Sequence, residues 1–143
     1  MSKSIKDIVL VVAAHPDDEL LGAGATFAKR LRLGDEVHAA VVCEGESVRY
    51  IPAGKSVDQQ SHAQKAAETL GFSSFRCLML PDQRLDTFSQ IELNKKFEAL
   101  IDEIRPSVVY THYSGDVNRD HTIIHDAMMV ATRPGREFIC EVL

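Results

Sequence analysis

Near its N-terminus the chain reads Asp7-Ile8-Val9-Leu10-Val11-Val12-Ala13-Ala14-His15-Pro16-Asp17-Asp18-Glu19. The apolar, β-branched first part is typical of a strand buried on both faces of a parallel sheet. The proline and three acidic residues at the end suit the first turn of a helix, where the helix dipole favours negative charge. The stretch therefore predicts a strand followed directly by a helix. Ligands of open α/β sheets bind just beyond the carboxyl ends of the strands, which is where His15 falls.

A second stretch of the same character lies far along the chain and reads Thr111-His112-Tyr113-Ser114-Gly115-Asp116-Val117-Asn118-Arg119-Asp120-His121. It follows an apolar strand predicted over 107–111 and precedes another helix. A helix start alone would explain the acidic residues of either stretch, but it would not explain histidines in both. If strands and helices alternate, the two stretches follow strands one and four, which are neighbours in the common order 3-2-1-4. The sequence therefore predicts that both loops converge on one crevice.

Hydrophobic periodicity outlines the rest of the fold. It predicts two further strands and four helices; the strands cover 36–42 and 75–80, and the helices cover 20–33, 57–70, 90–104 and 120 to before Pro134. The alternation predicts a single α/β domain over residues 1–143, in three layers around a Rossmann-like parallel sheet. Residues 137–143 read as a fifth strand with nothing after it, so we expect a short form or a fragment of a longer protein. An unpaired edge there would be a surface for a second copy, which leaves a homo-oligomer open.

Composition and charge exclude several classes of function. The chain has 143 residues, of which 45% are hydrophobic, and a net charge of −5 at pH 7. The acidic balance and the lack of a long basic run argue against a nucleic-acid partner. No apolar stretch approaches the roughly 20 residues that a membrane-spanning helix needs, and no signal peptide is recognisable, so we expect no membrane partner. Three widely spaced cysteines, an odd number, indicate a reducing compartment, and we expect a cytoplasmic protein.

The residue types at the predicted crevice are those of a catalytic zinc site. His15, Asp18 and His121 would supply two nitrogens and one oxygen to one Zn²⁺ per chain and leave a fourth position for water. A zinc ion lowers the pKa of such a water toward about 7 and polarises a bound carbonyl. Asp17 would be free to act as general base, since one carboxylate cannot both hold the metal and carry the proton. Asp120 would orient an imidazole from outside the ligand set. The implied reaction is metal-assisted hydrolysis of an amide or ester.

Taken together, the motifs resemble the PIG-L/LmbE family of zinc-dependent N-acetyl-sugar deacetylases. The resemblance rests on the hexapeptide at 14–19 and on five further segments; these are Gly22-Ala23-Gly24-Ala25-Thr26, Cys43-Glu44-Gly45-Glu46, Ala66-Ala67-Glu68-Thr69-Leu70-Gly71, Pro81-Asp82-Gln83-Arg84-Leu85-Asp86 and Asn118-Arg119-Asp120-His121. It implies the same metal ligands and base, and removal of the acetyl group from an N-acetylated sugar or glycoconjugate. Four polar loop residues on the crevice side are candidate sugar contacts: Glu46, Arg49, Asp82 and Arg84.

The chain departs from the family pattern where the family stabilises the oxyanion. Asn118 stands in place of the first histidine of the H-P-D-H motif, and an amide can donate a hydrogen bond to an oxyanion but cannot act as an acid. His112, at the nearby strand end, is the alternative source of an imidazole. Cys43 replaces the usual threonine, and the resemblance implies that a C-terminal portion walling the sugar pocket is missing. We therefore expect weak turnover, with a truncated, non-catalytic module that binds metal or ligand as the alternative.

Overall fold

The computed structural model describes residues 6–45 and 58–143, in which strands and helices alternate along the chain. A short 3₁₀ turn, Leu85–Thr87, follows the third strand. Among these residues, no helix has both the length and the apolar character needed to cross a bilayer. In chain order the elements are β1 Ile8–Ala13, α1 Asp18–Leu33, β2 Glu36–Cys43, α2 Gln59–Leu70, β3 Ser74–Leu80, α3 Gln90–Ile104, β4 Val108–Tyr110, α4 Arg119–Ala131 and β5 Glu141–Val142.

The five strands form one parallel sheet in the order β3-β2-β1-β4-β5. β1 lies at the centre, where Val9 is in register with Val37 of β2 on one side and with Val108 of β4 on the other. This order confirms the predicted 3-2-1-4 arrangement and adds a fifth strand beyond it. β2 and β3 lie on one side of β1, whereas β4 and β5 lie on the other side. The switch point of the sheet is therefore between β1 and β4, and the loops after these two strands meet there.

The sheet is buried between two helical layers because its central strand is apolar on both faces. Leu10 of β1 belongs to a core cluster with Phe97 of α3 and Ile124 of α4. Val9 faces the other way and belongs to a second cluster with Phe27 of α1. All five side chains are fully buried, and each such burial stabilises the fold by about 1.5–3 kcal/mol. The predicted three-layer architecture is therefore confirmed.

The helix boundaries follow from the chemistry of the helix ends. α1 begins at Asp18, two residues before the predicted start, with Asp17 as its N-cap. It ends at Gly34, whose φ of 95° is open to glycine and strained for other residues. α3 begins with a capping box, in which Ser89 and Glu92 each accept a backbone N–H of the other.

The fifth strand is much shorter than predicted. β5 covers only Glu141–Val142, whereas periodicity predicts residues 137–143. The first part of that range turns, because the backbone N–H of Ile139 donates to the carbonyl of Arg136 at 3.0 Å. Hydrogen bonding to the sheet begins only at Cys140, whose N–H donates to the carbonyl just before β4 at 2.8 Å. The predicted fifth strand is therefore confirmed, but its first residues form a turn that satisfies the backbone locally.

Candidate metal and catalytic site

The carboxyl ends of β1 and β4 bring two histidines and one aspartate together. His15 follows β1, Asp18 begins α1, and His121 lies in the first turn of α4. Asp18 Oδ2 lies 3.2 Å from His15 Nδ1 and 3.2 Å from His121 Nε2, and the two ring nitrogens are 3.3 Å apart. Zinc binds nitrogen and oxygen ligands at about 2.0–2.2 Å. A triangle of ligand atoms with these spacings fits one such ion.

The other ring nitrogen of His15 faces a second set of carboxylates. Asp120 Oδ2 lies 3.2 Å from His15 Nε2, and Asp82 Oδ1 lies 3.0 Å from the same nitrogen. Asp120 is buried, and its carboxylate also accepts the backbone N–H groups of Gln83 at 2.8 Å and Leu85 at 3.2 Å. These bonds fix the Asp120 carboxylate, which in turn orients the His15 ring as the outer partner of a metal-binding histidine does.

The imidazole of His121 is held by the loop after β4. Its Nδ1 lies 2.9 Å from Asp116 Oδ2, which leaves Nε2 for a cation. Asp116 also accepts the backbone N–H of Asn118 at 2.9 Å. Asn118 caps α4, because its Oδ1 accepts the backbone N–H of Asp120 at 3.0 Å. The cap occupies the oxygen of the Asn118 side chain and leaves its amide Nδ2 as the group able to donate.

Asp17 directly precedes the candidate metal ligand Asp18 and has an unusual backbone conformation. Its φ is 144°, in a region that residues other than glycine rarely adopt, at a cost on the order of 1–3 kcal/mol. The buried Glu19 stabilises this conformation, since its Oε2 accepts the Asp17 backbone N–H at 3.1 Å. Burial, followed by the nearby charge of Asp18, raises the pKa of the Asp17 carboxyl. A strained, partly desolvated carboxylate next to candidate metal ligands is typical of a functional position.

His112 lies in the same crevice but differs from the other two histidines in its bonding. Its ring stacks on His121, with the ring centroids 3.9 Å apart. Its Nε2 accepts the backbone N–H of Ala14 at 2.7 Å, so the ring proton is on Nδ1. The lone pair of Nε2 is therefore occupied, although this nitrogen lies only 3.8 Å from Asp18 Oδ2. His125 is one turn further along α4 and bonds through Nδ1 to the carbonyl of His112 at 2.8 Å.

The charge states of the crevice follow from these contacts. Burial alone would lower the pKa of His15, but its hydrogen bonds to Asp120 and Asp18 outweigh burial and raise the pKa to about 12. Burial would raise the pKa values of the Asp18 and Asp120 carboxyl groups, yet hydrogen bonds lower both values. The hydrogen bond to His15 contributes most to this lowering in each case. Burial and the neighbouring His121 lower the pKa of His112 to about 4. The surroundings of His15 therefore favour positive charge, and those of His112 exclude it.

The four candidate sugar contacts lie in different environments. Glu46 and Arg49 fall outside the described residues. Arg84 is exposed at the start of the 3₁₀ turn. The side chain of Asp82 is only 5% exposed and faces His15. The contact of Asp82 with a sugar stays a prediction, and in this structure its carboxylate faces the histidine.

A cleft of about 460 Å³ opens beside Asp17, between the beginnings of α1 and α2. Its wall is largely apolar and includes Leu20, Leu21 and Ala63, with His62 as a polar member from α2. Clefts of this size, mostly apolar with a few polar groups, are typical of small-molecule sites. None of the three candidate metal ligands lines this cleft, so it is a candidate position for the part of a substrate that extends past Asp17.

Three residues of the crevice carry little signal in the sequence. Asp116 orients His121 from within an irregular loop, where no spacing rule marks it. Glu19 supports Asp17, but in the sequence it reads only as one more acidic residue of a helix start. Cys43 ends an apolar strand, yet its Sγ lies 3.7 Å from Asp120 Oδ2, and burial raises the pKa of the thiol to about 11. Their roles depend on tertiary proximity, which local pattern does not reveal.

Comparison with known proteins agrees with this geometry. Residues 10–132 match the family model described as PIG-L: GlcNAc-PI de-N-acetylase. The chain is similar to the uncharacterized deacetylase YaiS of Escherichia coli, with 30% identity over an alignment of 133 residues that covers 87% of this chain and 68% of YaiS. It is also similar to a probable N-acetyl-alpha-D-glucosaminyl L-malate deacetylase 2 of Bacillus cereus, with 31% identity over 86% of this chain and 60% of the relative.

A solved structure gives the same result for the fold. The conserved protein TT1542 of Thermus thermophilus superposes with a TM-score of 0.79 and 25% sequence identity, covering 95% of this chain and 64% of TT1542. The chain thus spans between 60% and 68% of the length of these three proteins. The family match covers β1 from Leu10 onward, all of β4 and both loops that form the crevice. The chain therefore belongs to the PIG-L family, the GlcNAc-PI de-N-acetylases.

Proposed function

We propose that this protein is a zinc-dependent hydrolase that removes the acetyl group from an N-acetylglucosamine conjugate. The observation that carries the proposal is the convergence of His15, Asp18 and His121 at the switch point, with Asp17 directly before Asp18 in the chain. A metal ion that activates water and a carboxylate that accepts its proton are sufficient to hydrolyse an amide.

Zinc suits the donor set. Two imidazole nitrogens and one carboxylate oxygen are a typical catalytic ligand set for this ion, and they leave a position open for water or substrate. His15 Nδ1, Asp18 Oδ2 and His121 Nε2 would hold the ion, and the hydrogen bonds from Asp120 and Asp116 orient the two rings toward it. Bound zinc would supply Lewis acidity, which lowers the pKa of water and polarises the amide carbonyl.

Asp17 is the general base of the proposed reaction. It accepts a proton from the attacking water and passes that proton to the amine nitrogen as the C–N bond breaks, so acetate and a free amine leave. The backbone strain at Asp17 and the hydrogen bond from its N–H to Glu19 hold the carboxylate in place. Its raised pKa brings the carboxyl nearer to neutrality, which makes it a better proton carrier than an exposed aspartate.

Asn118 is the proposed donor to the oxyanion that develops on the carbonyl. Capping of α4 uses its Oδ1, and Nδ2 remains as a neutral donor on a rigid helix end. Preorganised donors of this kind contribute about 10²–10³ in rate. His112 is the alternative donor through Nδ1, but its Nε2 is engaged with Ala14, and its stacking on His121 favours a supporting role.

The substrate class rests on the relatives. The family description names GlcNAc-PI, and the Bacillus cereus relative is named for N-acetyl-alpha-D-glucosaminyl L-malate, so the two share an N-acetylglucosamine unit on different partners. We extend this unit to the present chain and assign it to the cleft beside Asp17. Glu46, Arg49, Asp82 and Arg84 remain predicted sugar contacts, and the cytoplasm remains the predicted location.

The proposal is tested by loading the protein with zinc and offering N-acetyl-α-D-glucosaminyl L-malate and methyl N-acetyl-α-D-glucosaminide. Acetate and free amine are measured in parallel. The proposal predicts equal amounts of both products from at least one substrate, and no product after the metal is removed with a chelator. Sugar binding by the zinc-loaded protein without release of acetate would overturn it in favour of a non-catalytic binding module.

A further inference from the structure

The side of His15 that faces away from the proposed zinc site is itself surrounded by potential metal ligands. Its Nε2 lies 3.0 Å from Asp82 Oδ1 and 3.2 Å from Asp120 Oδ2, and Cys43 Sγ lies 3.7 Å from the same Asp120 oxygen. We infer that these four side chains form a second cation site, which takes a thiophilic divalent ion of the zinc class.

The spacings match a ligand shell. With metal–ligand distances of about 2.0–2.2 Å for nitrogen and oxygen and about 2.3 Å for sulfur, neighbouring ligand atoms in a tetrahedral site lie roughly 3.3–3.6 Å apart. The observed separations, 3.0 to 3.7 Å, bracket this range. The candidate atoms of His15, Cys43 and Asp120 all lie within 4.8 Å of one another.

Asp82 supplies an independent indication that a ligand belongs there. Its side chain is only 5% exposed, and its Oδ1 accepts no hydrogen bond from the part of the chain that the structure describes, although it lies 3.0 Å from His15 Nε2. A buried carboxylate oxygen without a hydrogen bond is costly, by about 1–3 kcal/mol or more. By contrast, Asp120 Oδ2 is shared by the N–H of Gln83, the ring of His15 and the thiol of Cys43. A cation among these groups would give Asp82 a partner and relieve the crowding at Asp120.

The chemistry of the second site differs from that of the first. It contains sulfur, a ligand that zinc and other soft ions favour, whereas the triangle of His15 Nδ1, Asp18 and His121 offers only nitrogen and oxygen. Binding displaces the thiol proton of Cys43 and the proton on His15 Nε2, and both pass to solvent. The exposed side chain of Gln83, whose Nε2 lies 3.2 Å from His15 Nε2, swings aside.

Cobalt(II) distinguishes the two sites without any measurement of turnover, because only a thiolate ligand gives a sulfur-to-cobalt charge-transfer band in the near ultraviolet. The metal-free full chain is titrated with Co²⁺, and the band is recorded. The inference predicts that the band develops in the wild type and disappears on addition of excess Zn²⁺, which binds such sites more tightly than Co²⁺. It also predicts no band in Cys43→Ser.

Two further variants keep the test decisive. Cys77→Ser is the matched control, because Cys77 is half-buried and its thiol donates to the backbone carbonyl of Cys43 without joining the cluster. The band is expected to persist in this variant. Asp82→Asn keeps the shape of the side chain and removes a ligand charge, and it should weaken the sulfur-bound Co²⁺ by at least about tenfold. The inference would be overturned if the wild type showed no band at saturating Co²⁺, or if excess Zn²⁺ did not remove the band. It would also be overturned if the band persisted in Cys43→Ser, or if Asp82→Asn bound Co²⁺ as tightly as the wild type.

Discussion

The loops after β1 and β4 each place a histidine close to Asp18, yet the two histidines lie in opposite surroundings. His15 lies close to three carboxylates, and against the effect of burial its hydrogen bonds to two of them, Asp120 and Asp18, raise its pKa to about 12. His112 contacts another histidine and a backbone N–H, and burial lowers its pKa to about 4. Since both residues are histidines, the neighbours of each imidazole ring decide whether positive charge is favoured at that ring.

Histidines in one crevice can have separate roles, because different ring nitrogens are left available. Around His15 and His121, hydrogen-bonded carboxylates fix one ring nitrogen and leave the other free. At His112, the nitrogen nearest to Asp18 is already occupied by Ala14. We therefore expect the first two histidines to bind metal and His112 to remain neutral beside them.

Substitution of each histidine in turn should give the largest difference between the two residues. When one zinc ion is supplied per chain, His15→Ala should lose the bound zinc and all measurable turnover, because it removes one of only three protein ligands. His112→Gln should keep the zinc, since its amide oxygen can accept the N–H of Ala14. Elemental analysis after gel filtration measures both, and circular dichroism checks folding. Equal loss of zinc in the two variants would contradict the assignment.

Substitution of Asn118 tests the loop after β4 without touching the metal. Asn118→Ser keeps an oxygen that can cap α4 and removes the amide donor. We expect kcat to fall about 10²–10³-fold while zinc content and the KM for the sugar stay close to the wild-type values. Steady-state kinetics with acetate detection measures the split. An unchanged kcat would mean that the oxyanion is stabilised by another group.

The pH dependence of stability sharpens the contrast between the two histidines in the metal-free protein. The pKa of His112 falls from 6.5 to about 4 on folding, so its neutral form stabilises the fold above pH 6.5, and this contribution is lost as the pH falls through 4. The loss is on the order of 3 kcal/mol. Urea unfolding from pH 7 to 4 should therefore show a steeper decline for the wild type than for His112→Gln. Parallel curves would contradict the low pKa.

Much of the fold was predictable because its signals are local. The apolar runs of β1 and β4 and the glycine after α1 mark elements that the structure confirms, and α3 has its predicted bounds. The fifth strand predicted over 137–143 is present but shorter, because a turn at Arg136 satisfies backbone groups before it, which an apolar run does not reveal.

The crevice was predictable only for residues that follow a strand directly. His15, Asp17 and Asp18 come straight after β1, and topology alone brings His121 to them. Asp82 approaches His15 from a loop after β3, on a path that no spacing rule encodes. Sequence reasoning therefore placed Asp82 on the crevice side but did not predict that the fold buries it against His15.

The central claim is that a metal site and a separate base together hydrolyse an N-acetyl group. The most direct measurement determines bound zinc and acetate release on the same samples of wild type and Asp17→Asn, with Asp58→Asn as a control at the exposed N-cap of α2. The account predicts full zinc in all three proteins and a rate about 10²–10⁴-fold lower in Asp17→Asn alone. Wild-type turnover in Asp17→Asn, or loss of its zinc, would contradict the account.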